Sequence, residues 1–511
     1  MSFSTVMSAA IEGLHVEPVH VETDISNGLP VFHMVGYLSS EVKEASERVR
    51  TAVQNSDIRI PAKKIIINLA PATVRKKGAS FDFPIALSLL SALGEINTEI
   101  LKDTVVIGEL SLDGRVREVK GVLPIVMEAQ KRGYGRCLLP KGNAPEGALI
   151  EGIEIVGVED LKQAVDYLRG NKKIMPEKGD EWEKYTNPLD GLIDFSDIQG
   201  QESVKRAVEV AVSGGHNLLL IGPPGSGKSM IVQRIPTILP PPVHAESLEI
   251  TKIYSVLGMV DKERPLITGR PFRSVHHTVT KSALIGGGLI PSPGEISLAH
   301  GGVLFLDELP EFRKSVLEVL RQPLEERKVC INRTHGSYVF PSDFILTAAM
   351  NPCPCGNYPD FSKCSCTPWQ IGQYLSRISQ PFLDRIDICV EAPRILYEEI
   401  TERGRAETSA EIRKRVIAAR TIQQRRYEGT KIRSNAMLGV RQIDGFCRLG
   451  EEEEDLMRRA FTSLGLTART YHKILKVART IADMDGEDRI HMPHLKEAIG
   501  YRTADKKYWG R

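Results

Sequence analysis

Leu218-Leu-Leu-Ile221-Gly222-Pro223-Pro224-Gly225-Ser226-Gly227-Lys228-Ser229-Met230-Ile-Val-Gln-Arg-Ile235 is the stretch on which the reading of this chain turns. Four apolar residues predict a buried strand. The eight that follow fit GxxxxGK[ST], and MIVQRI continues as a helix, which is the context this phosphate-binding motif requires. Gly222, Gly225 and Gly227 let backbone N–H groups approach phosphates with no Cβ in the way, and the helix start adds its positive dipole end. Pro223, Pro224 and Ser226 complete the loop. Lys228 is expected on the β- and γ-phosphates of ATP and Ser229 on Mg²⁺. A plain glycine turn with a surface lysine is the bland alternative.

About eighty residues on, Val303-Leu-Phe-Leu306-Asp307-Glu308 reads as a second buried strand delivering two carboxylates at its C-terminal edge. Asp307 is expected to hold Mg²⁺ through water and Glu308 to polarise the attacking water. A third apolar stretch, Phe344 to Ala349, runs towards Asn351.

The 511 residues allow about three domains. Charge divides them: 19 basic against 22 acidic residues over 1–170, 4 against 5 over 171–190, 20 against 20 over 191–394, and 24 against 18 over 395–511. Only the last segment is clearly basic, and the formal total of +2 excludes a polyanion-coating protein, so any nucleic-acid site is local. Residues 171–190 are polar, aperiodic and hold two prolines, as an interdomain linker does. Before them, strands at Val19–Ile25, Lys64–Leu69, Val105–Leu110 and Ile153–Val158 alternate with helices at Ser39–Asn55, Phe83–Leu93, Val122–Arg132 and Asp160–Leu168, an α/β pattern. From Tyr397 the pattern is helical. No apolar run reaches membrane-spanning length and no signal sequence opens the chain, so a cytoplasmic protein is expected.

Four of the eight cysteines, Cys353, Cys355, Cys364 and Cys366, fall within 14 residues. Four thiolates suit the tetrahedral preference of Zn²⁺, with four reduced thiols as the alternative. A zinc here is expected to be structural, stiffening the loop that leads to Arg385. The remaining four, at 137, 330, 389 and 447, read as ordinary buried cysteines.

The P-loop, the Asp307-Glu308 pair, the strand before Asn351 and the helical C-terminal part together resemble an AAA+ ATPase. The resemblance implies that Asn351 orients the water. SRISQPFLDRID (Ser376 to Asp387) is similar to the arginine-finger segment of magnesium-chelatase and MCM relatives, with Arg385 at the finger. SLGLTARTYHKILKVARTIADM (Ser463 to Met484) is similar to their sensor-2 helix, with Arg469 at its arginine. Asp197-Ile198-Gln199-Gly200 resembles the loop near adenine, contributed by Ile198. For either arginine, spacing alone leaves an ordinary salt bridge open.

RPFRSVHHT (Arg270 to Thr278), GGGLIPSPGEISLAHGGVLFLDELPEF (Gly286 to Phe312) and NPCPCGNY narrow the likeness to the YifB/ComM family of magnesium-chelatase-like ATPases. Its known member activity implies a hexameric, ATP-driven DNA helicase of branch migration, working in homologous recombination or natural transformation. It also implies an inserted loop around 282–295 and a hairpin around 328–339 facing a central pore, where Lys328 and Arg333 offer cations to DNA phosphates. Residue types alone leave a solvated β-turn open for that hairpin. Residues 1–170 resemble the ribosomal-S5-like domain of Lon proteases through KKGASFDFPIAL and GELSLDGRVREVKGVLPIVMEA. Ser80 matches the Lon nucleophile, but Leu123 stands at the lysine base, so Ser80 is expected to be a helix cap or loop hydroxyl and the domain non-catalytic. The fold class is thus α/β: an S5/Lon-like domain, an AAA+ core and a helical lid. A magnesium-chelatase motor subunit, disfavoured by the domain ahead of the core, and a Lon-like protease are the alternative functions.

Overall fold

In the computed structural model the described residues are 2–179, 193–288, 291–333, 336–394 and 406–510. Residues 180–190 of the expected linker, and the junction at 395–405, lie outside them. The linker's start docks on the first domain, where Glu177 bridges Ile155 and its carboxylate lies 2.8 Å from Lys141 Nζ.

The first domain is built on a mixed seven-stranded sheet. Its strands are β1 (Ser2–Glu12), β2 (His15–Ser26), β3 (Val31–Val35), β4 (Lys64–Ala70), β5 (Thr104–Val106), β8 (Arg136–Pro140) and β9 (Glu154–Val158), in the order β3-β4-β2-β1-β5-β8-β9. β6 (Glu109–Leu110) and β7 (Val116–Arg117) form a separate small ladder. β1 and β2 pair along their whole length from Ser2↔Ile25 to Glu12↔His15, closed by a turn in which Gly13 takes φ 68°. Helices Ala45–Asn55, Asp82–Ala92, Val122–Lys131 and Leu161–Leu168 sit close to the expected spans. Asp160 caps the last of these, accepting from Gln163 N at 2.7 Å. The helix expected over Ser39–Asn55 is broken after Lys43.

The second domain carries a five-stranded, wholly parallel sheet in the order β11-β14-β17-β10-β18. Here β10 is Leu218–Ile221, β11 Phe272–Val275, β14 Val303–Leu306, β17 Ile345–Met350 and β18 Ile388–Glu391. β10, β14 and β17 are buried at every position, which is why they read as unbroken apolar runs. Two hairpins project from this core: β12 (Gly286–Gly287) with β13 (Ser292–Pro293), and β15 (Lys328–Arg333) with β16 (Gly336–Pro341). Their tips, 289–290 and 334–335, lie outside the described residues.

The C-terminal helices Ser409–Arg426, Glu451–Leu464, Ala468–Met484, Met492–Gly500 and Thr503–Trp509 form no core of their own. Ile412, Val416, Ile474 and Ile481 join Val204, Val208 and Ile231 of the P-loop domain in one cluster. These helices and the P-loop domain therefore share one apolar core on the side that carries the helix Glu202–Gly214. The first domain meets the ATPase core through Leu123 and Leu149, packed against Leu266, and through Glu146, whose buried carboxylate accepts from Ser255 Oγ at 2.5 Å.

Candidate ATPase site and associated elements

Strand β10, between β17 and β18, stops at Ile221 and the chain turns through Gly222–Gly227 into the helix Lys228–Ile238. Gly225 (φ 76°) and Gly227 (φ 80°) take left-handed backbone, and a Cβ on Gly222 would lie 2.3 Å from Ala392 O, so this loop requires glycine at each of the three. Lys228 is buried, with Nζ 2.8 Å from Gly222 O, 2.9 Å from Pro223 O and 3.3 Å from Asn351 Oδ1. Burial lowers its pKa, opposed by the charge of Asp307.

Ser229 Oγ donates to Asp307 Oδ2 at 2.8 Å, so the hydroxyl and carboxylate expected on Mg²⁺ stand side by side at the ends of adjacent elements. This pair fits a hard cation that takes oxygen ligands and keeps waters, with ATP phosphates supplying the rest. Glu308, next in sequence, has φ 52°, a left-handed backbone rare outside glycine, and its side chain is 60% exposed. Glu308 N donates to Asp307 Oδ1 at 2.9 Å, and its Oε2 lies 3.5 Å from His277 Nδ1. His277 was not assigned a role from sequence. Its signal in the sequence is the His276-His277 doublet of RPFRSVHHT, directly after β11.

Asn351 follows β17 immediately and faces Lys228. Ile198 is buried and lines, with Asp197, Gln199, Met230 and the loop residues Ser226 and Gly227, a recess of about 150 Å³ suited to a nucleobase. Lys228, Ser229, Asp307, Glu308, Asn351 and Ile198 thus converge on one loop.

Arg385 and Arg469 do not join them. Arg385 O accepts from Asn217 Nδ2 at 2.9 Å, and Asn217 precedes β10 while the P-loop follows it. A strand of four residues puts about 13 Å between those ends. Arg385 Nη2 lies 2.6 Å from Glu325 Oε1, and Arg469 Nη2 lies 3.7 Å from the same oxygen. Both arginines border a cavity of about 390 Å³ that also exposes Arg327, Lys473 and Lys476.

The four cysteines do converge. Cys353 Sγ is 3.4 Å from Cys355 Sγ and 3.8 Å from Cys364 Sγ, Cys355 and Cys364 are 3.5 Å apart, and Cys366 falls within 4.8 Å of all. A ZnS₄ tetrahedron with bonds of about 2.3 Å has edges of about 3.8 Å, so the set fits zinc. The knuckle touches the nucleotide loop rather than only leading to Arg385: a Cβ on Gly356 (φ 79°) would lie 2.3 Å from Pro224 Cδ. Of the other four cysteines, 137, 389 and 447 are buried as expected, but Cys330 is half-exposed on β15.

Lys328 and Arg333 occupy opposite ends of β15, about 17 Å apart. Lys328 sits at the hairpin base, opposite Pro341 and 3.8 Å from Glu326 Oε2, whereas Arg333 is at the tip opposite Gly336, where its Nη2 would lie 3.9 Å from a Cβ on Gly287 of the other hairpin. Ser80 is no helix cap: the cap position of Asp82–Ala92 is Phe81, with no side-chain cap bond. Leu123 is fully buried against Leu149 and Leu266, facing the ATPase core.

Comparison with known proteins agrees with this architecture. Family models described as "Magnesium chelatase, subunit ChlI", "Subunit ChlI of Mg-chelatase" and "Magnesium chelatase, subunit ChlI C-terminal" match residues 194–400, 21–143 and 406–502. Competence protein ComM of Haemophilus influenzae is 42% identical over 507 residues, 98% of each chain. YifB of Escherichia coli is 42% identical over 512 residues, 99% of this chain and 98% of that one. Lon protease 2 of Thermus thermophilus is 29% identical over 185 residues, 33% of this chain and 23% of that protease. No helix among the described residues is long and apolar enough to cross a membrane. With its P-loop, its paired carboxylates and full-length similarity to both relatives, the chain belongs to the YifB/ComM family of magnesium-chelatase-like AAA+ ATPases.

Proposed function

We propose that this ATPase is a ring-forming motor on DNA, a branch-migration helicase, with ATP bound between subunits of a hexamer. The observation that carries the ring is the separation of Arg385 from the P-loop. Within one chain the finger cannot reach the phosphates, because the length of β10 lies between them. Arg385 and Arg469 act together on a neighbour's γ-phosphate, and Glu325 holds them until that anion competes for them. Lys228 and Ser229 with Mg²⁺ bind the phosphates, Asp307 steadies the metal, and Glu308 takes the proton of the attacking water that Asn351 orients. His277 holds the Glu308 carboxylate aside until nucleotide and water are in place. Zn²⁺ on the four cysteines fixes the knuckle that braces Pro224.

The substrate rests on the name of the Haemophilus relative, a competence protein, and on the two hairpins, which meet at Arg333 and Gly287. Arg333 at the tip serves DNA phosphates better than Lys328, whose charge is shared with Glu326. The test is ATP hydrolysis with single-stranded, duplex and four-way-junction DNA. Wild type is stimulated, most by the junction, and Arg333→Ala with Lys328→Ala keeps basal hydrolysis while losing stimulation. A wild type that no DNA stimulates shifts the substrate to that of a chelatase motor and leaves the ATPase standing.

A further inference from the structure

One end of the first domain carries a surface that ATP chemistry does not use. β1, β3 and β4 point the same way, so their C-terminal ends share that end of the sheet. The loop after β4 is tied to the segment after β3: Lys76 N donates to Tyr37 O at 2.9 Å and Ser39 N to Lys76 O at 3.0 Å. Lys76 itself is an anchor, buried with its ammonium on Pro71 O. The bridge presents its neighbours outward. The Arg75 guanidinium lies over the Tyr37 ring at 5.8 Å, Tyr37 is 44% exposed, and Lys77 is exposed. Arg75 Nε is buried with no hydrogen-bond acceptor among the described residues. The acids facing this group are Glu41, within range of Arg75 and Lys77, and Glu12, within range of Lys76.

The same end abuts the β15–β16 hairpin. A Cβ on Gly13 would lie 3.1 Å from Tyr338 and 3.4 Å from Phe340, Leu14 and Tyr338 both pack on the core cluster that holds Phe340, and Glu12 is within electrostatic range of both Tyr338 and Lys76. Tyr338 is two residues from Gly336, the partner of Arg333. The hairpin that carries Arg333 therefore packs on the β1–β2 turn, at the same end of the sheet as the patch.

We propose that Tyr37, Arg75 and Lys77 bind a single nucleic-acid strand, continuing its path from the hairpin tip onto the first domain; this rests on the DNA-motor reading above. An exposed ring flanked by a guanidinium gives one base a stacking platform, and the Arg75 and Lys77 cations take the adjoining phosphates. A second copy of the chain is the competing occupant, since Val31 and Val35 on the edge strand β3 are also exposed.

The test measures anisotropy of a fluorescein-labelled oligothymidylate on the full-length chain with a non-hydrolysable ATP analogue, across a salt series. Arg75→Ala with Lys77→Ala weakens binding and lowers the log–log salt slope by about 1.4, two phosphate contacts on a single strand. Tyr37→Leu weakens binding about tenfold with the slope unchanged, and Tyr37→Phe restores it. An iodouracil-substituted strand crosslinks to Tyr37 in the wild type. Basal ATP hydrolysis is unchanged in all three variants. Wild-type affinity and slope in the double variant, with no crosslink, overturn the proposal while leaving the motor. Loss of ring assembly with DNA affinity intact assigns the patch to a neighbouring subunit and overturns it too. A wild type that binds no DNA overturns the motor reading and this inference with it.

Discussion

Arg385 and Glu325 form an ion pair of 2.6 Å in which the arginine side chain is only 7% exposed and the carboxylate half-exposed. Arg469 approaches the same oxygen at 3.7 Å from the lid. The same Arg385 guanidinium donates to Arg321 O at 3.3 Å and to Pro381 O, at the end of the sheet away from its own P-loop, and in the ring proposed above a neighbour's phosphate competes for it.

From this arrangement Arg385→Ala is expected to cut ATP turnover about 10³-fold with DNA binding retained, since a finger stabilises charge only in the transition state. Mixing it with Lys228→Ala decides the geometry. Interfaces that join an intact P-loop to an intact finger recover hydrolysis if Arg385 works across subunits. Rings shown to be mixed but without recovery would confine Arg385 to structural pairing with Glu325.

Lys228→Ala and Glu308→Gln separate binding from chemistry. The first removes the buried cation that faces the loop, so nucleotide affinity falls. The second keeps every phosphate contact and stalls hydrolysis, leaving an ATP-bound assembly that accumulates. Nucleotide titration and single-turnover hydrolysis read the two effects, and an equal loss of affinity in both variants would contradict the roles. His277→Ala, which frees Glu308 Oε2 from its 3.5 Å contact, is expected to change turnover and not nucleotide affinity.

The nucleotide site was legible because its chemistry is local. Gly222 to Ser229 fixes its own loop, and the buried parallel strands that deliver Asp307 and Asn351 leave unbroken apolar runs. What escaped depends on contacts far apart in sequence. β1 was missed because Ser and Ala dilute its alternation, and β3 because its edge position leaves Val31 and Val35 outside, with no period to read. The Glu308–His277 contact joins residues just beyond the ends of the adjacent strands β14 and β11, and the Arg385–Glu325 pair spans sixty positions. Composition marks the helical segment but cannot reveal that Ile412 and Ile474 share a buried cluster with Val204.

Purified protein is expected to carry one zinc ion per chain, abolished by Cys353→Ser with Cys355→Ser. Three sulfur separations of 3.4 to 3.8 Å, with Cys366 within 4.8 Å of the others, leave the set compatible with tetrahedral thiolate binding. Because metal binding is folding energy, the double variant melts lower. It also binds nucleotide more weakly, since Gly356 packs on Pro224 of the phosphate loop. Elemental analysis that finds no metal in protein purified without chelator would defeat the assignment.

The first domain is expected to cleave no peptide, with or without ATP, and Leu123 is the residue on which that rests. Its side chain is fully buried against Leu149 and Leu266, and its backbone N donates to Glu146 Oε1 at 3.0 Å, the same oxygen that binds Ser255 of the ATPase core. The position that in a Lon-like site would carry the base is therefore part of the joint between the domains. Leu123→Ala is expected to cost about 2–5 kcal/mol, as buried leucine truncations do, read as a lower melting temperature. Leu123→Lys restores the residue type of the base without restoring catalysis, because the side chain points into the apolar joint. It lowers stability by desolvating an ammonium there. Casein cleavage by the wild type that disappears in Ser80→Ala would refute this, as would cleavage gained by Leu123→Lys.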